Sequence, residues 1–595
     1  MKLRKGFLLS LLLWLVNAGA TPTEQKSTVA HGLSFHGTLK YPKDFSHFTY
    51  ANPHAPKGGT LRKGATGTFS TFNTFATKGT WADGSYFLYD PLMLRAGDEP
   101  YSVYALVAEA VEYPDDFRWV IYHLNPKARF HDGQPITAHD VVFTFESLQK
   151  HGPPHYQHLY NQIEKAEALS EQTVRFRFAG PPAKSLVLRL SQLRVLPAHY
   201  WTQPGNDLFR ATLKPPLASG PYRIKTFSPG RFVSYERVPD YWAADLPVNR
   251  GRHNFDLIRT DYYLDDAVAL EAFKRGEYDL RIDANPRNWA SAYQQKNGQT
   301  TFIKEKIANQ SVGMRAFVFN LRKPVFASRA VRQAIALALD VNWMNEHLFF
   351  GMYHQASSLF ANSDLAATGL PGIGERALLA PWQTQLPPEL FTSPWQPTTS
   401  DGTGNWRQNK VRAFRLLKQA GFHYEQKTLK NANGKPLHFE ILLSNPEHER
   451  FALPFARNLR QLGILATINT VDTSQYINRL RQFDFDMISH GFYPGITPGT
   501  ELKHFWGNAS AEAGQNLSGI KLPVLDHLID QTIKADTRAE LILHTRAIDR
   551  IVLWHYAVIP LWYLPYWPMV YHPGLEHPTV SPPYANGLST WWRTR

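Results

Sequence analysis

The spacing of apolar and polar residues differs from one segment of the chain to the next. At 119–124 they alternate among β-branched and aromatic residues, which predicts a strand. Asp132-Gly133 then predicts a tight turn, because glycine tolerates positive φ. Thr137, with Asp140 three residues later, fits a capping box at a helix start. The helix face that follows carries Val141, Val142, Phe145 and Leu148.

Beyond residue 310, short apolar runs alternate with longer amphipathic segments. We predict strands at 316–320, 438–443, 465–471 and 485–490. We predict helices at 328–350, 407–420, 449–462, 474–482, 524–535 and 538–552. Gly421 follows one of these helices at the position where glycine adopts left-handed geometry most easily. Strands alternating with helices indicate an α/β fold class.

The amino terminus has the pattern of a secretory signal. Three basic residues precede the apolar run 7–16, and Ala18-Gly19-Ala20 fits the small-residue cleavage rule. A retained anchor is the alternative, but a membrane span needs about 20 apolar residues, about twice what this run offers. We predict a signal peptide at 1–20 and export to the periplasm of a Gram-negative bacterium. No cysteine follows that could carry a lipid anchor.

A second apolar stretch, at 551–571, also has the composition of a membrane span. Pro560, Pro565 and Pro568 argue against one, because each removes a helical hydrogen bond. We predict a helix followed by buried strand and loop in the core of a lobe. The alternative is that some of the aromatic rings face a ligand cleft.

Composition narrows the class of protein. A chain of 595 residues is too long for one hydrophobic core. The absence of cysteine excludes disulfides, a thiol nucleophile and a Cys-ligated metal. The net charge is +14, or +11 without the signal, but the basic residues are scattered and form no nucleic-acid module. We expect a solvated basic surface and no nucleic-acid partner.

The element pattern suggests two lobes. We place the first lobe at 21–310, the second at 311–515, and a return to the first lobe at 516–595, because the α/β alternation ends near Asn516. The chain would then cross between the lobes near 308–314 and 513–520.

Several motifs occur in a characteristic order. They are the segment 113–148, Ser219-Gly220-Pro221-Tyr222, Asp240-Tyr241-Trp242, Gly276-Glu277-Tyr278-Asp279, and Phe319-Asn320 followed by 330–334. In order and spacing they resemble the family 5 extracellular solute-binding proteins, the ligand-capturing components of bacterial peptide and nickel ABC importers. Further segments resemble the Yej-type branch of microcin C and oligopeptide importers, namely His31-Gly32-Leu33, 52–59, Asp401-Gly402-Thr403-Gly404 and 491–506.

The resemblance implies a two-lobed periplasmic binding protein of the Venus-flytrap kind, type II-like. An extra subdomain would be inserted in the first lobe at about 66–210, and the ligand would lie between the lobes. The resemblance also implies a peptide or peptide-like ligand, an inner-membrane ABC permease with its ATPase subunits as partners, no cofactor, and a monomer.

One departure from the family concerns the amino group of the ligand. Many oligopeptide binders of the family place an Asp in a second-lobe loop, where it pairs with the free amino terminus, since a buried ammonium needs such a partner. The corresponding stretch here, 492–498, contains no acid, and Glu501, Asp484 and Asp486 lie outside it. We therefore expect a blocked or absent amino terminus, as in formylated peptides, microcin C-like compounds and muropeptides.

Candidate contacts come from both lobes. The predicted loop at 66–75 offers Phe69, Ser70 and Asn73 as contacts of a ligand. The alternative is an ordinary turn. Tyr222 is either a cleft residue or part of a hairpin core. Arg315 fits bidentate binding of a carboxylate, whereas Arg332 on a helix favours a structural ion pair.

The second-lobe loop offers backbone amides in a Gly- and Pro-rich setting. Its candidates are Phe492, Tyr493, Gly495 and Thr497. Trp506 fits either stacking on a ligand or core packing.

Other functions have weaker support. His151, His155 and His158 are close in sequence, as are Glu447, His448 and Glu449, which keeps a nickel or haem binder open. An exported hydrolase lacks an HExxH, GxSxG or P-loop motif. We predict no enzyme and no metal site. A chaperone or signalling receptor on the same fold remains a third alternative.

Overall fold

The computed structural model describes residues 27–594 apart from 35, 181, 183, 294–301, 311–312 and 427. The predicted signal peptide at 1–20 lies outside the described residues. Within the described ranges, none of the helices combines the length and apolar character that a membrane span needs.

A mixed sheet of seven strands forms the body of the first lobe. In spatial order its strands are Tyr222–Ser228, Phe232–Arg237, Leu257–Tyr263, Thr60–Thr66, Leu280–Ile282, Tyr566–Tyr571 and Ile303–Ala308. The first two of these strands form a hairpin after Gly220, with Tyr222 opposite Arg237. A Cβ on Gly220 would lie 2.2 Å from the carbonyl oxygen of Phe87, so only glycine fits this close approach.

The subdomain is a five-stranded antiparallel sheet covered by a helix. Its strands are Ser27–Ala30, Ala108–Pro114, Trp119–Leu124, Thr173–Phe178 and Ile163–Ser170. The capping box of Thr137 and Asp140 is confirmed at the start of the helix Ala138–His151. The first strand lies outside the range 66–210, because residues 27–30 pair with 111–114.

The second lobe has three layers, with helices on both faces of a five-stranded sheet. The strands are Leu465–Thr470, His438–Leu443, Met487–Phe492, Met314–Phe319 and Val558–Pro560. Met314, Ala316 and Val318 pack on one face. Phe317 and Phe319 alternate with them and pack on the other. This alternation follows from the two-residue period of a strand.

The α-helices divide between the lobes. Those of the first lobe and its subdomain are Ala138–His151, Pro154–Tyr160, Lys184–Ser191, Ala198–Trp201 and Asp266–Lys274. Those of the second lobe are Arg329–Leu337, Val341–His347, Ile373–Leu379, Glu389–Thr392, Arg407–Gln419, Glu449–Gln461, Thr473–Arg481, Glu501–Trp506, Ser510–Ala513, Pro523–Lys534 and Arg538–Trp554. Gly421 has the left-handed φ of +85° that its position after a helix predicts.

Four smaller sheets contain the remaining strands. One has three strands, in the order Gly32–Ser34, Ser102–Ala105 and Met93–Arg95. The other three have two strands each: His354–Gln355 with Trp562–Tyr563, His423–Glu425 with Thr428–Lys430, and Leu575–Glu576 with Trp592–Arg593.

The single helix predicted at 328–350 is wrong. The structure has two helices, Arg329–Leu337 and Val341–His347. The side chain of Asp340 accepts a hydrogen bond of 3.0 Å from the amide of Trp343 and caps the second helix. A short acidic side chain at this point competes with helix continuation, because it satisfies an otherwise free amide.

The predicted return to the first lobe at 516 is also wrong. Leu528 and Ile548, on the helices that follow, pack against the same core as Met314. The strand Val558–Pro560 then pairs with Met314–Phe319 in the second-lobe sheet. The chain re-enters the first lobe only with the strand Tyr566–Tyr571. Helical periodicity shows that a helix has an apolar face, but not which lobe covers it.

Candidate functional site

The two lobes meet at a cleft beyond the carboxyl end of the strand Met487–Phe492. The space measures about 1140 Å³ and is open to solvent. The first lobe contributes Arg95, Pro100, Leu188, Arg189, Gln192, Trp567 and Tyr584. The second lobe contributes residues 493–497 and Glu501, and Asn309 and Gln310 line it at the crossing between lobes. Ligands of open α/β sheets bind at this end of the strands.

The second-lobe loop brings three of the predicted residues to the cleft. Tyr493 is 62% exposed there. Gly495 has a φ of +76° and an open surrounding, which leaves the backbone accessible. The hydroxyl of Thr497 is buried and has no hydrogen-bond partner among the described residues. This loop therefore presents its backbone to a ligand at Gly495.

The aromatic neighbours of this loop lie below it. Phe492 and Trp506 are buried and stack on each other with ring centroids 5.0 Å apart. They belong to the second-lobe core. They support the loop from inside, which favours core packing over the predicted contact with a ligand.

The predicted first-lobe residues serve the structure of the lobe. Phe69 is buried against Tyr262. The side-chain amide of Asn73 donates to the carbonyls of Leu208 and Arg210 at 2.7 and 3.0 Å. The hydroxyl of Ser70, which is exposed, accepts from the amide of Thr80 at 3.0 Å. None of these side chains lines the cleft.

Tyr222 also lies outside the cleft. Its hydroxyl donates to the carbonyl of Phe255 at 2.9 Å, and its ring lines a separate space inside the first lobe. The prediction that it faces the cleft is therefore wrong.

Arg315 is a cationic centre near the cleft loop. Its guanidinium donates to the hydroxyl of Ser489 at 3.2 Å, and it forms no ion pair with a carboxylate in the described part of the chain. Burial and this nearby charge lower the pKa of His448 and of His490 to about 4. Arg315 is opposite Gly491 in the sheet, two residues before Tyr493. An anionic group reaching this edge would meet a positive potential.

Arg332 has a structural role, although among the described residues its guanidinium forms no ion pair. Its guanidinium donates to the backbone carbonyls of Phe326, His555 and Tyr556. These bonds attach the helix Arg329–Leu337 to the segment after the helix Arg538–Trp554.

Glu501 is a cleft residue that the sequence interpretation placed outside the relevant loop. Its carboxylate accepts from the amide of Gly499 at 3.0 Å. Burial raises the pKa of Glu501, and the charge of Arg189 across the cleft opposes that rise. The available sequence signal is its place at the start of a helix after a Gly- and Pro-rich loop. The cleft therefore contains one carboxylate that could meet an ammonium group.

Two of the histidines singled out in the sequence, His155 and His158, lie on the short helix Pro154–Tyr160. The rings of His158 and His504 approach to 6.1 Å between centroids, which brings the subdomain close to the second lobe. The described residues contain no group of three or more His, Asp or Glu placed to hold a metal ion.

Comparison with known proteins assigns the chain to a family. The family model described as bacterial extracellular solute-binding proteins, family 5 middle, matches residues 102–513. This chain belongs to family 5 of the bacterial extracellular solute-binding proteins. Members of family 5 are extracellular or periplasmic components of ABC peptide importers, which work with a permease and ATPase subunits.

Relatives place it in the Yej-type branch of family 5. The uncharacterized protein YejA of Escherichia coli (strain K12) is 42% identical over 93% of this chain and 92% of its own length. The probable peptide-binding protein YejA of Agrobacterium fabrum is 38% identical over 94% of this chain and 93% of its own length. The resemblance derived from the motifs is thereby confirmed.

Solved structures confirm the two-lobed fold. The oligopeptide-binding protein AppA from Bacillus subtilis, in complex with a nonapeptide, superposes with a TM-score of 0.66 at 19% identity. The match covers 91% of this chain and 100% of AppA. At this identity the likeness concerns the fold alone.

Proposed function

We propose that this protein captures oligopeptides or peptide-like compounds in the cleft and delivers them to an inner-membrane ABC permease, with ATP used by a separate subunit. The observation that carries this proposal is the cleft between the lobes. It opposes the loop 493–497 to Arg95 and Arg189, in a space of about 1140 Å³. Pockets for organic ligands are concave and carry a few placed polar groups.

The loop chemistry supports a peptide-type ligand. A peptide offers amide donors and acceptors along its length, so its binding site needs accessible backbone and hydroxyl groups. Gly495 supplies accessible backbone on one side of the cleft, and Thr497 beside it has a buried hydroxyl without a partner among the described residues. Closure would follow bending at the two crossings, between residues 308 and 314 and between residues 563 and 566.

Two candidate classes of ligand differ at the amino terminus, which is blocked in one class and free in the other. The loop 492–498 contains no acid, which favours formylated peptides, microcin C-like compounds or muropeptides. Glu501 is the observation that favours the second candidate, a peptide with a free amino group. A carboxylate that pairs with a buried ammonium would regain its ordinary ionisation.

Calorimetric titration with three pentapeptides separates these candidates. Pentaalanine would be offered with a free, an acetylated and a formylated amino terminus, to the natural protein and to Glu501→Gln. Tighter binding of blocked peptides, unchanged in Glu501→Gln, would support a blocked ligand. Tighter binding of the free amine, weakened about tenfold or more in Glu501→Gln, would support the second candidate.

Glu164→Gln is the matched control, because Glu164 is an exposed residue of the subdomain sheet away from the cleft. Mass spectrometry of compounds that co-purify with the protein would identify the natural ligand. Failure of every peptide to bind, together with the absence of peptide-type compounds after purification, would overturn the proposal.

We also propose a monomer that acts in the periplasm and releases its ligand unchanged. Incubation of a bound peptide with the protein, followed by chromatography, checks the last point. Accumulation of cleavage products would contradict it.

A further inference from the structure

The first lobe contains a second space, here called the chamber. It measures about 1160 Å³ and lies against the face of the seven-stranded sheet that carries Leu61 and Ile258. Its lining is mainly apolar with a few polar groups, which is typical of a ligand site.

Aromatic rings dominate the chamber wall. They belong to Tyr50, Tyr86, Phe87, Tyr222, Tyr235 and Phe255. The one carboxylate among its lining residues, Asp83, is already paired with Lys63 at 2.6 Å. Burial lowers the pKa of His253, which lines the same space, well below its ordinary value, so this ring is neutral. The interior thus suits an aromatic or apolar group.

The chamber adjoins the cleft at Arg95. Arg95 lines both spaces. Tyr584 lines the cleft, while its neighbour Ala585 lines the chamber. The segment 582–589 therefore forms part of the wall between them, and a ligand held in the cleft could extend past Arg95.

Arg95 is available to an anion. Among the described residues its guanidinium forms no ion pair with a carboxylate, and the side chain is exposed to the spaces that it lines. Arg252, which also lines the chamber, likewise has no carboxylate partner among the described residues. It donates instead to the hydroxyl of Ser589 and the carbonyl of Val248. Guanidinium groups bind carboxylate and phosphate through paired charge-assisted hydrogen bonds.

We propose that the chamber receives an aromatic group at the end of a peptide-type ligand, and that Arg95 binds an anionic group beside it. This inference rests on the proposed capture of peptides in the cleft. Two kinds of ligand combine an aromatic group with an adjacent anion. One is an aromatic residue at the carboxyl terminus, and the other is an aromatic group that carries a phosphate.

Binding of four pentapeptides tests the proposal. All begin with four alanines, with the amino terminus that binds more tightly in the titration above. They end in Trp with a free carboxylate, Trp amide, Ala with a free carboxylate, or phosphotyrosine amide. We expect the free Trp acid or the phosphotyrosine amide to bind about tenfold more tightly than both Trp amide and the Ala acid. The tighter of the two identifies the source of the anion.

Two variants examine the two halves of the site separately. Arg95→Gln should reduce the preference for the anionic peptide over Trp amide to less than about twofold. Ala585→Trp places an indole on the chamber wall and should remove the preference for an aromatic end. The controls are Arg457→Gln, on an exposed helix position, and Ala585→Ser. Thermal melting checks that each variant folds.

The outcomes are distinct from those of the proposed function. If peptides bind but Arg95→Gln keeps the full preference for an anion, or Ala585→Trp keeps the aromatic preference, the chamber proposal is overturned while peptide capture stands. If the natural protein binds all four peptides equally, the chamber proposal is likewise overturned. If it binds none of them, the chamber proposal is overturned, and peptide capture falls as well only if no peptide-type compound co-purifies with the protein.

Discussion

Arg550 and Glu375 form an ion pair inside the second lobe, with Nε and Oε1 3.0 Å apart and both side chains buried. Arg550 also donates to the carbonyls of Thr368 and Gly369, at 2.9 and 2.8 Å. Glu375 accepts from the amide of Gly372 at 2.7 Å. The pair therefore joins the helix Arg538–Trp554 to the loop and helix around residue 372.

Loss of the arginine should strongly destabilise the protein. Arg550→Met leaves the Glu375 carboxylate buried without its cation, and we expect a loss of about 3–5 kcal/mol in the free energy of unfolding. Urea denaturation followed by tryptophan fluorescence measures it. Arg223→Met, which removes an exposed pair with Glu236, is the control and should cost about 1 kcal/mol or less. Equal losses in the two variants would contradict the prediction.

A buried carboxyl should make stability depend on pH. Burial raises the pKa of Asp90 to about 7, although hydrogen bonds from Tyr241 and Trp242 oppose the rise. The folded protein then binds more protons than the unfolded chain between about pH 4 and 7. This contribution to stability is present at low pH and is lost as the pH rises through about 7.

Comparison with Asp90→Asn isolates the effect of this carboxyl. Urea midpoints would be measured for both proteins at pH 5, 6, 7 and 8. We expect the natural protein to lose stability relative to Asp90→Asn as the pH rises, by at most about 1.4 kcal/mol per pH unit. A difference that stays constant across this range would show that Asp90 does not titrate there.

Glycine at position 495 should matter for binding more than for folding. Gly495 and Gly434 have φ of +76° and +71°, and neither would meet an atom within 4 Å if it carried a Cβ. Valine at either position should therefore cost a similar amount of stability, about 1–2 kcal/mol. Gly495→Val alone should weaken peptide binding, because only Gly495 lines the cleft. Equal affinities in the two variants would argue against contact with the loop.

Arg315 should control two histidines. Its positive charge adds to burial in lowering the pKa of His448 and His490 to about 4. Arg315→Met should raise the pKa of both histidines, while burial keeps them below the ordinary value of about 6.5. Titration followed by nuclear magnetic resonance measures both. Arg315→Lys keeps the charge and should leave the pKa values nearly unchanged; a rise as large as in Arg315→Met would implicate the hydrogen bond to Ser489 instead.

The sequence by itself determined the local structure where chemistry acts between neighbours. Thr137 and Asp140 cap their helix, and Gly421 takes the left-handed geometry after its helix, because each needs only a few adjacent residues. The alternation at 119–124 gave a strand for the same reason. The order of motifs was enough to indicate the family and its two-lobed fold.

Tertiary structure decided which surfaces meet. The helix Arg538–Trp554 has an apolar face, but only packing assigns that face to the second lobe. Phe492 is buried while Tyr493 beside it is exposed, because adjacent residues at a strand end point to opposite sides. Glu501 and Arg95 reach one cleft from separate lobes. The period of the apolar positions shows that one face of a helix or strand is buried. Contacts between segments distant in sequence determine which core covers that face.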